Sequence, residues 1–302
     1  MTITQKRGLT PITHKTDPSS SRKQVGRKVR DFYEGCSFPG YEDFQNPGDL
    51  IERAKRGVYA RLLDEQMPLG PGLRILDAGC GTGQLAIFLS MVRRRVIGID
   101  FSFNSLLKAN RFREQFKLNS ARFAQMDLFS LGLKEESFDY VFSNGVLHHT
   151  ADAYGAFQNL CRLVKPGGYI TIGLYNTYGR LLSNARRWLF RVTNDRFTRL
   201  DYFMRQRSHG EEKRRIWFQD QYRNPHDTTW TVDEVLRWFR LNGISYVNSV
   251  PSIRIGEPSL ALGLFDSREP GNALERLLCQ LGWIFSMGRE GGFFLTMGRK
   301  PK

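Results

Sequence analysis

The chain has 302 residues, 40% of them hydrophobic and 25% charged, a globular balance that excludes wholesale disorder and a collagen-like chain. No apolar run approaches the ~20 residues needed to span a bilayer, which excludes a helical integral membrane protein. The net charge of +15 is concentrated: residues 1–30 carry eight Lys/Arg against the single acid Asp17, and residues 180–240 carry fourteen Lys/Arg against eight acids.

Residues 1–28, with Thr10-Pro11, Pro18 and Ser19-Ser20-Ser21, are expected to form a flexible basic arm. Residues 29–48 mix five aromatics with Pro and Gly and are expected to be ordered but loop-rich. Asp49 is placed to cap a helix running to about Gln66. From Leu73 strands and helices alternate. Strands are predicted at 74–77, 95–100, 121–126, 137–142 and 169–174, with helices at 84–92, 104–116 and 152–164. Lys165-Pro166-Gly167-Gly168 is expected as a turn. Such alternation makes right-handed βαβ crossovers and a mostly parallel sheet covered on both faces.

Residues 176–226 break the rhythm and are expected to be an Arg- and aromatic-rich helical insertion. Thr231 and Glu234 match a capping box, opening a helix to Leu241 that stops at Asn242-Gly243. A sixth strand is predicted at 244–250. Residues 252–290 form a second insertion holding an apolar helix at 273–285, and a last strand runs from 292 to 297. The last two strands are expected to pair antiparallel at the sheet edge. The predicted fold is thus a Rossmann-like, seven-stranded α/β sheet with an antiparallel edge strand. It is one domain over 29–302, with a core at 73–174 and the insertions 176–226 and 252–290 lying over an acceptor.

The four cysteines (Cys36, Cys80, Cys161, Cys279) are far apart, which excludes a zinc ribbon and makes a disulfide framework a poor fit. No apolar segment adjoins the basic N-terminus, so no secretory signal is read and a cytoplasmic setting is expected. The same composition also suits an organellar transit peptide. The excess charge suits an anionic partner or a solvated surface equally well.

The densest chemical signal is Leu76-Asp77-Ala78-Gly79-Cys80-Gly81-Thr82-Gly83, between a strand and a helix. In open α/β sheets ligands lie beyond the carboxyl ends of the strands, and glycines let backbone approach them. The spacing is G-x-G-x-G, not the G-x-G-x-x-G of dinucleotide sites, and no P-loop lysine is present. Asp77 would repel a pyrophosphate but suits an ammonium. Asp100 closes the second strand, where a carboxylate accepts ribose hydroxyls, and Asp127 closes the third. Three acids at three strand ends describe a pocket for an adenosine with a cationic tail.

With LDAGCGTG, the strand VIGID, MDL at 126–128, FDYVFSNGVLHH at 138–149 and LCRLVKPGGYI at 160–170, the chain resembles the class I S-adenosylmethionine-dependent methyltransferases. Within them it resembles the ubiquinone/menaquinone-methyltransferase-like branch (type 11/25 domains). The resemblance covers about a third of the chain. It implies S-adenosyl-L-methionine as cofactor, with Gly79, Gly81 and Gly83 along its methionine part, flanked by Cys80 and Thr82, and Asp77 at its amino group. It further implies Asp100 at the ribose, Phe101 on the adenine, Asp127 at the adenine amine, Met126 and Leu128 among the cofactor-binding residues, and Asn144 and Gly145 beside the sulfonium.

In-line methyl transfer needs positioning first, and a base only where the acceptor must lose a proton. His149 and His148 are candidate bases, and Tyr175 and Asn176, after the fifth strand, are candidates to orient the acceptor. Arg180 is a candidate partner for an anionic acceptor group, Tyr33 for a lid, and Asn224-Pro225-His226-Asp227 forms another polar cluster. No metal is expected. A small-molecule acceptor is favoured. RNA, through the basic arm and Arg-rich insertion, and protein remain alternatives, and the apolar helix at 273–285 leaves room for peripheral membrane contact. The chain lacks the Asn/Asp-Pro-Pro-aromatic signature of base-amine methyltransferases.

Overall fold

A computed structural model describes residues 18–37, 46–67, 72–92, 94–206, 210–257, 263–287 and 291–302. Its centre is a seven-stranded sheet of β1 (Arg74–Ala78), β2 (Arg95–Asp100), β3 (Ala121–Gln125), β4 (Phe138–Asn144), β5 (Val164–Tyr175), β6 (Ser245–Val250) and β7 (Phe293–Arg299). The spatial order is β3-β2-β1-β4-β5-β7-β6. The first five strands are parallel, and β7 is antiparallel to both β5 and the edge strand β6. Strand order reverses between β1 and β4, which opens the crevice where such sheets take their ligands.

Successive residues along each inner strand face opposite layers. Leu76 and Val141 pack with α6 (Ala153–Leu163) and α10 (Val232–Leu241), through Phe157, Leu160 and Phe239. Ile75, Tyr140 and Phe142 pack on the other face with α3 (Val58–Gln66) and α4 (Gln84–Ser90), through Leu63, Phe88 and Leu89. Near-continuous burial along β5 fits a strand covered on both sides. The capping box at Thr231 and Glu234 forms as expected.

The structure departs from the sequence-based expectations in three places. Part of the expected arm is helical: α1 spans Pro18–Gly35. Its proline stands at the first turn, where a missing N–H costs nothing, and its body is rich in Arg, Lys and Gln, long-chain helix formers. Residues 1–17 and 38–45 lie outside the described residues. The helix expected from Asp49 is two, α2 (Pro47–Arg56) and α3, parted at Gly57, whose backbone is extended. Asn46 is the cap of α2, and Asp49 reaches back to it as the third residue of a capping box. Lys165–Gly168 is taken into β5, where pairing with β4 shifts register and Gly167 has φ +76°.

The 176–226 insertion holds α7 (Leu181–Val192), α8 (Tyr202–Arg205) and α9 (Glu211–Phe218), and α9 runs into a π-helical turn at Gln219–Arg223. The remaining helices are α5 (Phe103–Gln115) and α11 (Ala273–Ser286). No described helix is long and apolar enough to cross a membrane.

Candidate functional site

The tips of β1, β2 and β4 open into one cavity of about 1170 Å³, above the roughly 300–1,000 Å³ usual for a single small ligand. One face of α1 covers it: Arg22, Gly26, Val29, Arg30 and Tyr33, spaced at helical intervals, all line the wall. The C-terminal end of α1 is fastened to the start of α5, whose Phe103 and Asn104 N–H groups donate to the Glu34 carboxylate at 2.6 and 3.1 Å. An anion at a helix N-terminus is favoured there.

At the strand-tip end, Asp77, Gly79, Cys80, Gly81, Asp100, Phe101, Met126, Asp127, Leu128, Asn144 and Gly145 line the cavity. The glycine bend needs its glycines. Gly79 has φ +80°, and a Cβ there would stand 2.4 Å from Val146 Cγ2. Gly81 has φ +53°, and its N–H donates to Asp100 Oδ2 at 2.8 Å while Ser102 N–H donates to Oδ1. Thr82 and Gly83 are buried beneath the bend, outside the cavity wall. Asp127 is exposed and its Oδ1 accepts from Phe129 N–H.

Burial raises Asp77 well above the usual carboxylate range, and the neighbouring Asp100 charge adds to it. Burial also raises Asp100, against the N–H bonds it accepts. Among the described residues neither carboxylate has an ion-pair partner. Asn144 Oδ1 is buried without a hydrogen bond. Two acids and an orphaned acceptor around a glycine bend fit a ligand that is cationic and rich in N–H and O–H donors. This set of acceptors therefore fits S-adenosylmethionine. The Cys80 thiol is pushed well up, chiefly by burial, and is inert as a nucleophile.

At the other end the wall is Tyr33, His149, Tyr175, Trp217, Asp220, Gln221 and Phe293. The π-helical turn, a feature frequent at functional sites, carries Asp220 and Gln221. Tyr33 Oη donates to Asp220 at 2.8 Å, Asn224 donates to Tyr33 Oη at 3.0 Å, and Gln221 Nε2 donates to Tyr175 Oη at 2.7 Å.

His149 Nδ1 lies 2.9 Å from the His226 carbonyl. That contact requires a proton on Nδ1, which leaves Nε2 as the ring's lone-pair atom. Burial lowers the pKa of His149, opposed by Asp220 and Asp227. His148 lies behind it, fully buried, 4.1 Å from the Tyr175 ring, with neither nitrogen hydrogen-bonded. Burial lowers His148 well below the ordinary range. His148, His149 and Asp227 bring one donor atom each within 4.8 Å of one another. However, Asp227 Oδ2 already receives Arg180 at 2.9 Å and Arg187 at 2.7 Å, so a further cation there would meet two guanidiniums.

Two expected acceptor contacts are structural instead. Asn176 is buried: its Oδ1 accepts from the Tyr178 and Gly179 N–H groups, and its Nδ2 donates to Gln280. Arg180 is 1% exposed, bonded to Asp227, Gln221 and the Gly291 carbonyl and stacked on Tyr175. Both lie within five residues of the end of β5, as an acceptor-facing residue would, but partners far along the chain turn them inward. No local pattern marks Asp220, Gln221 or Phe293 in the sequence; the only hint is the density of aromatics and arginines in the insertion.

A glycine bend at the strand-order reversal, with acids at three neighbouring strand tips, defines the class I S-adenosylmethionine-dependent methyltransferase architecture. Comparison with known proteins agrees. The family model described as "Methyltransferase domain" matches residues 69–243. An uncharacterized protein of Synechococcus sp. is 28% identical over 74% of this chain and 60% of its own length. Demethylmenaquinone methyltransferase of Oceanobacillus iheyensis is 29% identical over 43% of this chain and 56% of its own. Ubiquinone biosynthesis O-methyltransferase of Ruegeria pomeroyi is 31% identical over 49% and 61%. The chain thus spans less than two thirds of each of these relatives. Among solved structures, magnesium protoporphyrin IX methyltransferase of Synechocystis superposes with a TM-score of 0.51 at 16% identity, covering 91% of this chain and 97% of that one. The methyltransferase complexed with the Haloferax volcanii Trm112 activator gives 0.53 at 18%, covering 91% and 98%. The chain belongs to the methyltransferase-domain family.

Proposed function

We propose that this protein transfers a methyl group from S-adenosylmethionine to a small molecule bearing an O–H or N–H nucleophile. The observation that carries this reading is the continuity of the cavity. The acid-lined strand tips and the recess of Tyr33, His149, Tyr175 and Asp220 share one space beneath α1. A walled recess takes a small molecule more readily than a folded RNA or protein surface.

Asp77 and Asn144 would hold the cofactor's amino group, Asp100 the ribose hydroxyls and Asp127 the adenine amine. Phe101, Met126 and Leu128 would sandwich the base, and Gly79, Gly81 and Gly145 would let backbone approach. The bound cofactor supplies a methyl carbon on a positively charged sulfur, ready for in-line displacement. Rate then comes mainly from placement, worth effective molarities of roughly 10⁵–10⁸ M. Asp220 and Tyr33 would orient the acceptor, and His149 Nε2 would take its proton. A buried, neutral imidazole is the right state for that step.

The test is transfer of labelled methyl into a cell extract, fractionated into small molecules, lipid, RNA and protein. Label in small molecules or extractable lipid supports the reading; label confined to RNA or protein overturns it. Thermal stabilisation by S-adenosylhomocysteine checks the cofactor half separately.

A further inference from the structure

The insertion carries a surface that the methyl-transfer reading does not use. On α7, Leu181, Trp188 and Val192 are seven and four residues apart and so share one face. They are exposed at 48%, 66% and 58%. The chain then runs through Phe197 and Leu200, exposed at 51% and 56%. The opposite side of α7 is inward: Phe190 packs on Phe218 and Tyr222. The outer face of this helix thus has no partner among the described residues.

Arginines are interleaved with it. Arg186 and Arg187 are spent on Asp201 and Asp227. Arg191, Arg196, Arg199 and Arg205 are exposed and have no ion pair among the described residues. An aromatic and aliphatic strip flanked by such guanidiniums is the composition of an interfacial segment on an anionic bilayer. RNA would use the arginines but has no need of Leu181, Val192 and Leu200.

We infer that residues 181–205 dock the protein onto membranes containing anionic phospholipid, with Trp188 and Phe197 in the headgroup boundary and the four arginines among the lipid phosphates. The segment adjoins the acceptor recess: Phe203 stacks on Trp217 at 4.6 Å, and Trp217 lines the cavity.

The test is flotation of the full chain with vesicles of phosphatidylcholine alone and of phosphatidylcholine mixed with roughly one-third phosphatidylglycerol. The expected result is binding to the mixed vesicles, weakened by salt, and little to the neutral ones. Arg191→Ala with Arg199→Ala lowers the partition coefficient roughly 30-fold at low salt, at about fivefold per basic side chain. Trp188→Ala with Phe197→Ala lowers it independently of salt. These side chains are exposed, so melting temperature and its rise with S-adenosylhomocysteine stay as in the parent, which separates lost docking from lost folding. Absence of vesicle binding, equal binding to both vesicle types, or variants that float like the parent overturn the inference. So does an arginine pair variant that floats like the parent but is no longer retained on immobilised single-stranded RNA. None of these outcomes bears on whether methyl is transferred.

Discussion

Among the described residues Asp77 and Asp100, at the strand tips, have no ion-pair partner, whereas Asp227, 3.8 Å from His149 Nδ1 and off the cavity wall, lies between Arg180 and Arg187. The contrast shows in their titration. Burial drives Asp77 and Asp100 up. For Asp227 burial also pulls upward, but Arg180, His149 and Arg187 outweigh it and hold the carboxyl below its usual range. A buried charge balanced from within serves the architecture; one left unbalanced is a place for a ligand.

The sharpest break of this comparison is at His149, which the Asp227 side positions. His149→Gln lowers kcat on the acceptor by roughly 10²–10⁴-fold if it takes the proton, and an unchanged kcat removes it from that role. Because its pKa is lowered, the parent's kcat/KM holds as pH falls through about 6.5, the ordinary histidine value, and declines only in more acid solution.

Arg180→Ala leaves Asp227 with one guanidinium and opens the hydrogen bonds to Gln221 and Gly291. The expected loss is ~3–5 kcal/mol of unfolding free energy by denaturant titration, and a loss below ~1 kcal/mol would mean Arg187 suffices.

At the other end, Asp100→Ala weakens cofactor binding by about 1–3 kcal/mol in calorimetry. Asp77→Asn separates binding from stability. A carboxyl whose folded pKa exceeds its unfolded one weakens the fold once pH rises past the unfolded value, and the full cost is reached above the folded one. Removing that charge therefore raises the melting temperature of the ligand-free protein at neutral pH, by ~2–4 °C per kcal/mol relieved, while cofactor affinity falls. A variant that melts lower would show that Asp77 is balanced after all.

The strand-tip end was legible in the sequence because all of it is local. Asp77 and Asp100 stand in the last residues of their strands and Asp127 two residues past its own, so the periodicity that announces where each strand stops also places these acids at the cavity. The other end was legible only in part: Tyr33, His149 and Tyr175 stood out as candidates, but the wall they share is assembled from afar. Tyr33 comes from a helix whose Pro18 and serines read as loop, Asp220 from a π-helical turn that no local pattern marks, and Phe293 from the final strand. Asn176 and Arg180 misled for the same reason: their partners Gln280, Asp227 and Gly291 come from distant positions.

β7 runs between β5 and β6, pairs Phe293 with Tyr175, and lends that phenylalanine to the cavity wall. During synthesis β1 to β5 leave the ribosome long before it, with one flank of β5 still unzipped. Until β7 is made, the cavity lacks the wall that Phe293 supplies, and a polypeptide clipped before that residue leaves β5 with a bare flank and the cavity open on that side.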